Sequence, residues 1–366
     1  MLFKKAIETL KPYVAGRPIS EVKRELGLKE VTKLASNENP YGCSEKAKEA
    51  IIKAAGESNI YPDGSAYDLR QALSLKLCIS PDELVFGTGS DGLLELIGKA
   101  FLSEGDEAVM PTPSFSLYET NTLSEGAKAV KIPLTKEYKM DLEKMYDAIT
   151  DKTRVIWLCN PNNPTGEIST GDEIDAFINK VPKDILIVLD EAYYEFAKGR
   201  GGYGEHIKGR SENVIILRTF SKIYGLAGLR CGYGIADKNV IKEIEKVRSP
   251  FNVSIVAQYA ATASLTDDDF VNFTLAENEK NLKYLCDEFT KMGLYYIPSY
   301  TNFVAVKTPV KSVDAYNALM KKGYIVKGGH TLALEEGFLR VTVGTKNECE
   351  GFIKALLEVI AENEKS

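Results

Sequence analysis

Between residues 84 and 234 short apolar runs alternate with helical stretches, and this pattern restricts the fold more than any other feature. The runs fall at 84–86, 108–110, 129–132, 155–158, 185–189, 214–217 and 231–235. Most lack polar–apolar alternation, so each strand expects cover on both faces. A sheet covered by helices on both faces is a largely parallel one. The expectation is an α/β domain around a mostly parallel seven-stranded sheet. In such sheets ligands sit at the carboxyl ends of strands.

The flanking regions read differently. The first 33 residues are charged and mildly amphipathic, with Pro12, Gly16 and Pro18 interrupting any long helix. They lead into a turn-rich loop, Leu34-Ala35-Ser36-Asn37-Glu38-Asn39-Pro40. Residues 45–55 and 67–77 have helical spacing, with a turn signal at Tyr61-Pro62-Asp63-Gly64 between them. A long helical connection is expected to begin within 249–263. Beyond it, helical stretches (269–291, 313–322) alternate with short apolar runs at 295–297, 303–307, 324–326 and 338–343. The expected organisation is an arm over 1–35, a large domain over 36–265 and a smaller domain over 266–366. The arm and the C-terminal part together make the smaller α+β unit.

Composition excludes several functions. The net charge is −6 and no basic block occurs, which argues against nucleic-acid and membrane partners. No apolar run approaches the roughly 20 residues of a membrane helix. Met1-Leu2-Phe3-Lys4-Lys5 leads into a mixed polar segment, not a secretory core. Cys43, Cys78, Cys159, Cys231, Cys286 and Cys349 are scattered without CxxC spacing and read as reduced thiols of a cytoplasmic protein. His206 and His330 are the only histidines, too few for a zinc site and few for a Ser-His-Asp hydrolase.

Four motifs follow the apolar runs. Gly87-Thr88-Gly89-Ser90-Asp91-Gly92 joins the run at 84–86 to a helical stretch; its glycines allow a tight turn and free N–H groups attract phosphate. It also matches GxGxxG, but no clean βαβ unit follows with an acid on its second strand, so a ligand-free glycine turn weighs equally. Asn160-Pro161-Asn162-Asn163-Pro164-Thr165-Gly166 is stiff enough to hold an Asn amide in one orientation, or is an ordinary loop. Asp190 ends the run at 185–189 and is followed by Glu191-Ala192-Tyr193-Tyr194. A carboxylate there needs a cation or donors, and a helix cap or structural ion pair explains it as well as a ligand does. The fourth is Arg218-Thr219-Phe220-Ser221-Lys222, with Arg230 eight residues later. A desolvated lysine loses its proton more easily and becomes a nucleophile, although many lysines are structural.

One ligand needs a phosphate cradle, a basic partner, a buried carboxylate, a fixed donor and an imine-forming lysine together: pyridoxal 5′-phosphate. The carboxylate keeps the ring nitrogen protonated, and the lysine holds the aldehyde and later moves protons.

At this point the chain is similar, nearly end to end, to the fold-type-I pyridoxal-phosphate aminotransferases, and within them to the histidinol-phosphate aminotransferase family. The similarity is carried by Leu10-Lys11-Pro12-Tyr13, Ala35-Ser36-Asn37-Glu38-Asn39-Pro40, Tyr61-Pro62-Asp63-Gly64 and Asn162-Asn163-Pro164-Thr165-Gly166. Further along it is carried by Asp190-Glu191-Ala192-Tyr193, Ser221-Lys222, Gly228-Leu229-Arg230 and Leu339-Arg340-Val341-Thr342-Val343-Gly344. The resemblance implies that Lys222 carries the cofactor and Asp190 pairs with its ring nitrogen. Asn163 and Tyr193 would bond its phenolic oxygen. Gly89, Ser90, Asp91, Thr219, Ser221 and Arg230 would surround its phosphate, and Phe115 would stack on its ring. Tyr61 would reach the site of a neighbouring subunit, implying a homodimer with shared active sites. Arg340 would bind the substrate's anionic group, with Tyr13, Asn37, Tyr61 and Asn163 beside it.

The local pattern agrees on Arg340: Leu339, Val341 and Val343 form one apolar strand face, so Arg340 on the other faces a cleft or solvent. One departure is Lys327, where family members often have arginine; lysine cannot give the same two-pronged hydrogen bond.

The implied reaction is ping-pong transamination between L-glutamate/2-oxoglutarate and L-histidinol phosphate/imidazole-acetol phosphate, a step of histidine biosynthesis. Alternatives on the same motifs are an aromatic-amino-acid aminotransferase and a decarboxylase of a phosphorylated amino acid. A dinucleotide-dependent dehydrogenase would leave Asp190, Asn163 and Lys222 unexplained. A non-enzymatic binding role has no basic patch behind it.

Overall fold

The computed structural model describes residues 4–8, 10 and 16–365. A two-residue strand, β1 (Thr32–Lys33), precedes seven strands that form the main sheet: β2 (Leu84–Gly87), β3 (Glu107–Thr112), β4 (Lys128–Pro133), β5 (Thr153–Cys159), β6 (Leu186–Asp190), β7 (Val214–Thr219) and β8 (Gly232–Ile235). Their order is β2-β8-β7-β6-β5-β3-β4. The pairings from β7 through to β4 are parallel, and β8 is antiparallel to both its neighbours. All seven apolar runs are therefore strands of one mostly parallel sheet.

The unbroken apolar runs follow from two-sided burial. Ile187, Leu189, Val214 and Ile216 face one core, while Leu186, Val188, Ile215 and Leu217 face the other. The edge strand β4 departs from the expectation: it is only half buried, because one of its long edges has no neighbouring strand.

The C-terminal strands β9 (Tyr295–Ile297), β10 (Phe303–Lys307), β11 (Tyr324–Ile325), β12 (Lys327–Gly328) and β13 (Phe338–Thr342) follow the long helix Asp268–Lys291. Four of them make an antiparallel sheet in the order β12-β13-β10-β9, packed on that helix, on Ser312–Lys321 and on Lys346–Glu364. The fifth, β11, instead pairs in parallel with β1, which ties the segment before Leu34 to this C-terminal unit. The helical connection begins at Ile255, within the expected 249–263, behind a Ser254 side-chain cap. Among the described residues no helix is long and apolar enough to cross a membrane.

The topology gathers the four motifs at one edge of the sheet. Asp190 ends β6 opposite Cys159 of β5, and Thr219 ends β7 opposite Gly232. Gly232 in turn pairs with Gly87 at the end of β2.

Candidate active site

Asp190 and Lys222 stand on neighbouring strand ends. Asp190 is 3% exposed. Its Oδ2 accepts from the Tyr118 hydroxyl at 2.7 Å and its Oδ1 from the Ala192 N–H at 3.1 Å. Burial pushes its pKa up to about 6, against the pull of those two donors. Lys222 is partly buried, and its Nζ donates to the Ser36 carbonyl at 3.1 Å. Burial first, and then the Arg340 charge, bring its pKa down to about 8.

The Gly89–Phe101 helix starts directly after β2, so its free N–H groups open beside Arg230. Gly89 has φ +80°, and a Cβ there would collide with the Arg230 guanidinium. A Cβ on Gly232 would meet the Ser90 nitrogen at 2.5 Å. Only glycine allows this close approach. Arg230 donates to Ser221 Oγ at 3.3 Å and pairs with Asp91 at 3.1 Å. Thr219 and Ser221 hydroxyls lie 3.0 Å apart. What Asp91 offers an anion is its backbone N–H in the first helical turn, since its carboxylate already faces Arg230.

The opposite wall belongs to β13. Arg340 is 6% exposed, so it faces a buried cleft and not solvent. It donates to Asn163 Oδ1 and to the Ala35 carbonyl, the latter at 2.7 Å, and lies over the Phe303 ring at 5.1 Å. Lys327 is its cross-strand partner on β12, and burial lowers the Lys327 pKa. The Asn37 amide nitrogen donates to the Tyr193 hydroxyl at 2.8 Å. The loop 34–37 is the keystone: Ala35 O takes Arg340, Ser36 O takes Lys222, and Asn37 O takes the Asn302 amide at 3.0 Å.

The geometry brings Lys222, Asp190, Tyr193, Asn163, Asn37 and Arg340 into one hydrogen-bonded neighbourhood, with Gly89, Ser90, Asp91, Thr219, Ser221 and Arg230 beside it. Phe115 packs edge-on against Tyr118 with ring centroids 5.7 Å apart. Tyr61 is not part of this neighbourhood: it is 79% exposed and stacks on Phe251 at 4.8 Å. Tyr13 lies outside the described residues.

Two residues escaped the sequence reading. Tyr118 holds Asp190 from the helix Leu117–Ser124, and Thr342 holds Asn37 from β13. Thr342 had a visible signal, sharing the strand face of Arg340. Tyr118, three residues after Phe115, had none. The alternatives for the adjacent acids are now separable. Glu191 is the structural ion pair, at 2.7 Å from Arg218, whereas among the described residues Asp190 has hydroxyl and amide donors only.

These features fit pyridoxal 5′-phosphate. A glycine-lined helix start with an arginine and two hydroxyls suits the phosphate. A buried carboxylate suits a ring N–H, and an amine of lowered pKa suits an aldehyde. Among the described residues no cluster of three or more His, Cys, Asp or Glu could hold a metal ion.

Residues 29–356 match the family model for aminotransferase class I and II. A histidinol-phosphate aminotransferase of Brevibacillus brevis is 47% identical over 350 residues, covering 95% of each chain. Histidinol-phosphate aminotransferase 2 of Carboxydothermus hydrogenoformans is 44% identical, covering 98% of this chain and 99% of that one. In structure, the chain is similar to histidinol-phosphate aminotransferase from Sinorhizobium meliloti in complex with pyridoxal-5′-phosphate. The TM-score is 0.89 at 29% identity, covering 99% and 98% of the two chains.

Proposed function

The chain belongs to the aminotransferase class I and II family, and from that premise we propose that it moves an amino group between L-glutamate and imidazole-acetol phosphate, reversibly giving L-histidinol phosphate and 2-oxoglutarate in histidine biosynthesis. It is a transaminase that uses pyridoxal 5′-phosphate. When bound, that cofactor supplies an aldehyde to carry the amino group and a ring to act as electron sink. The observation that carries the reading is the pair Lys222 and Asp190: two titratable groups, Asp190 buried and Lys222 partly buried, on adjacent strand ends, whose hydrogen bonds among the described residues go to neutral groups.

In this reading Lys222 Nζ binds the cofactor and moves the proton at the substrate's α-carbon. Its lowered pKa keeps much of the amine unprotonated near pH 8. Asp190 holds the proton on the ring nitrogen, and Tyr118 and Ala192 orient it. Tyr193 and Asn163 address the phenolic oxygen. The helix start at Gly89, the N–H groups of Ser90 and Asp91, Thr219, Ser221 and Arg230 hold the phosphate, and Phe115 covers the ring. Arg340 receives the anionic group of both substrates in turn, with Asn37 nearby and Lys327 as a second cation; Tyr13, outside the described residues, is a further substrate contact in this reading. Residues 36–265 form the cofactor-binding unit, with the arm 1–35 and residues 266–366 as the smaller one.

A second copy of the chain completes the site. Ile60, Tyr61, Tyr67 and Phe251 are all exposed, an apolar surface a dimer would bury. On that surface Tyr61 would reach the partner's phosphate cradle. The six cysteines are all free, in keeping with a reducing cytoplasm.

The test is an assay of L-glutamate with imidazole-acetol phosphate, reading 2-oxoglutarate. Efficient turnover is expected. A large preference for phenylalanine over histidinol phosphate as donor would refute the substrate assignment. Borohydride reduction and peptide mapping would place the label on Lys222; a label on another lysine would refute the site.

A further inference from the structure

Tyr193 can serve a phenolic oxygen only if its own proton points there, and a chain of directional hydrogen bonds settles that direction. The chain starts at a group with no choice. The Asn37 backbone N–H is a donor, and it lies 2.9 Å from Thr342 Oγ1. Thr342 Oγ1 accepts that bond and donates its own proton to Asn37 Oδ1 at 3.0 Å. With Oδ1 committed, the other end of the amide is Nδ2, which donates to the Tyr193 hydroxyl at 2.8 Å. Tyr193 oxygen thus accepts from Asn37, and its proton is directed away from Asn37. Every group in this chain is 4% exposed or less, so water does not compete for the bonds.

The fold invests in this arrangement. Asn37 sits at φ 55°, in the left-handed region, held by Asn302 on its carbonyl at 3.0 Å. Thr342 is on β13 in the C-terminal sheet, whereas Tyr193 follows β6 in the main sheet.

We propose that Thr342 is a positioning residue which, through the Asn37 amide, fixes the direction in which the Tyr193 hydroxyl donates. The inference rests on the reading that Tyr193 faces the cofactor's phenolic oxygen. Replacing the threonine hydroxyl with a methyl group frees the amide to turn over. Asn37 Oδ1 then becomes an acceptor for Tyr193, and the tyrosine proton is drawn off the phenolic oxygen. The charged and titratable groups around Tyr193 are Arg340, Asp190 and Cys159, with Lys222 Nζ 5.9 Å from its ring. None of them changes in the variants below.

The readout is the pH midpoint of the bound cofactor's long-wavelength absorbance in the holoenzyme. A hydrogen bond donated to the phenolic oxygen stabilises its negative charge, so the chromophore loses its proton at lower pH; withdrawing the bond moves the midpoint up. Thr342→Val is expected to raise the midpoint by roughly 0.5–1 pH unit, the equivalent of one such bond. Thr342→Ser keeps the hydroxyl and leaves the midpoint in place. Asn37→Gly, which suits a positive φ, raises it as Thr342→Val does, and the double variant raises it no further. Unmoved midpoints in Thr342→Val and Asn37→Gly, with Tyr193→Phe still raising it, would overturn the relay and leave the reading of Tyr193 standing. An unmoved midpoint in Tyr193→Phe would overturn that reading and the relay with it.

Discussion

Asp190 and Glu191 are sequence neighbours, both buried at the end of β6, yet their electrostatic circumstances are opposite. Glu191 Oε2 accepts from Arg218 Nε at 2.9 Å and pairs with its Nη2 at 2.7 Å; Arg218 also meets Glu205 at 3.1 Å and lies 3.3 Å above the Tyr194 ring. That charge is answered within the chain. Among the described residues, Asp190 and, four residues beyond Arg218, Lys222 hydrogen-bond only to neutral partners. Both pairs lie at the same strand ends and both are desolvated. A buried charge matched by the protein is scaffold, and a buried charge left for something else to match is a site.

The comparison can be broken at either end. The largest effect is expected from Lys222→Ala: turnover falls by about 10⁴-fold or more, because both the point of attachment and the proton carrier go. Cofactor-free protein should lose no melting temperature, since a desolvated amine with a lowered pKa costs stability near neutral pH; a large drop on melting would make Lys222 scaffold after all. Arg218→Met should do the reverse. It strands Glu191 and costs about 3–5 kcal/mol, read from urea unfolding. A neutral result would remove the ion pair from the scaffold.

Asp190→Asn comes next. It should keep bound cofactor and lose turnover by about 100-fold, as the ring nitrogen is no longer kept protonated. Its pH behaviour has a definite sign. The folded-state pKa is raised from 3.8 to about 6, so the folded chain holds an extra proton between those values. Stability is full below the lower value and is lost as pH rises through the upper one. Cofactor-free Asp190→Asn should therefore match the parent near pH 4 and exceed it above pH 6, by about 2 kcal/mol. Equal pH profiles for the two proteins would contradict this.

The smallest effect is a displaced midpoint. Cofactor capture requires the unprotonated amine, and the Lys222 pKa is lowered from 10.5 to about 8. The rate of reconstitution with pyridoxal phosphate should rise about tenfold per unit below the lower value and level off above it. A rate still climbing to the unshifted value would mean that Lys222 is solvated like any surface lysine.

What was legible in the sequence was what is encoded locally. Apolar runs marked all seven main strands, unbroken where strands are buried on two faces; the half-buried edge strand β4 carries Lys131. Lys222, Asp190 and Asn163 could be singled out because each lies within five residues after such a run. The partners could not. Thr342 and Asn37 are 305 residues apart, Tyr118 and Asp190 72. No periodicity or turn chemistry within either segment announces a contact across that distance. Arg340 was placed on the correct strand face, but its burial depends on Phe303 and the loop 34–37 lying over it, which only tertiary packing creates. The twin acids at 190 and 191 could be ranked only once Arg218 was seen to reach one of them.

The loop 34–37 also has a consequence for the order in which the protein can be made. It leaves the ribosome long before Asn302, Arg340 and Thr342, which hold its Ala35 and Asn37. A nascent chain that has completed β8 already has Lys222, Asp190 and the phosphate cradle, but nothing from β13 to fix Asn37 or to cap the Ala35 carbonyl. Cofactor placement and substrate recognition are thus separated in time during biosynthesis, and a chain truncated before β13 would carry the first without the second.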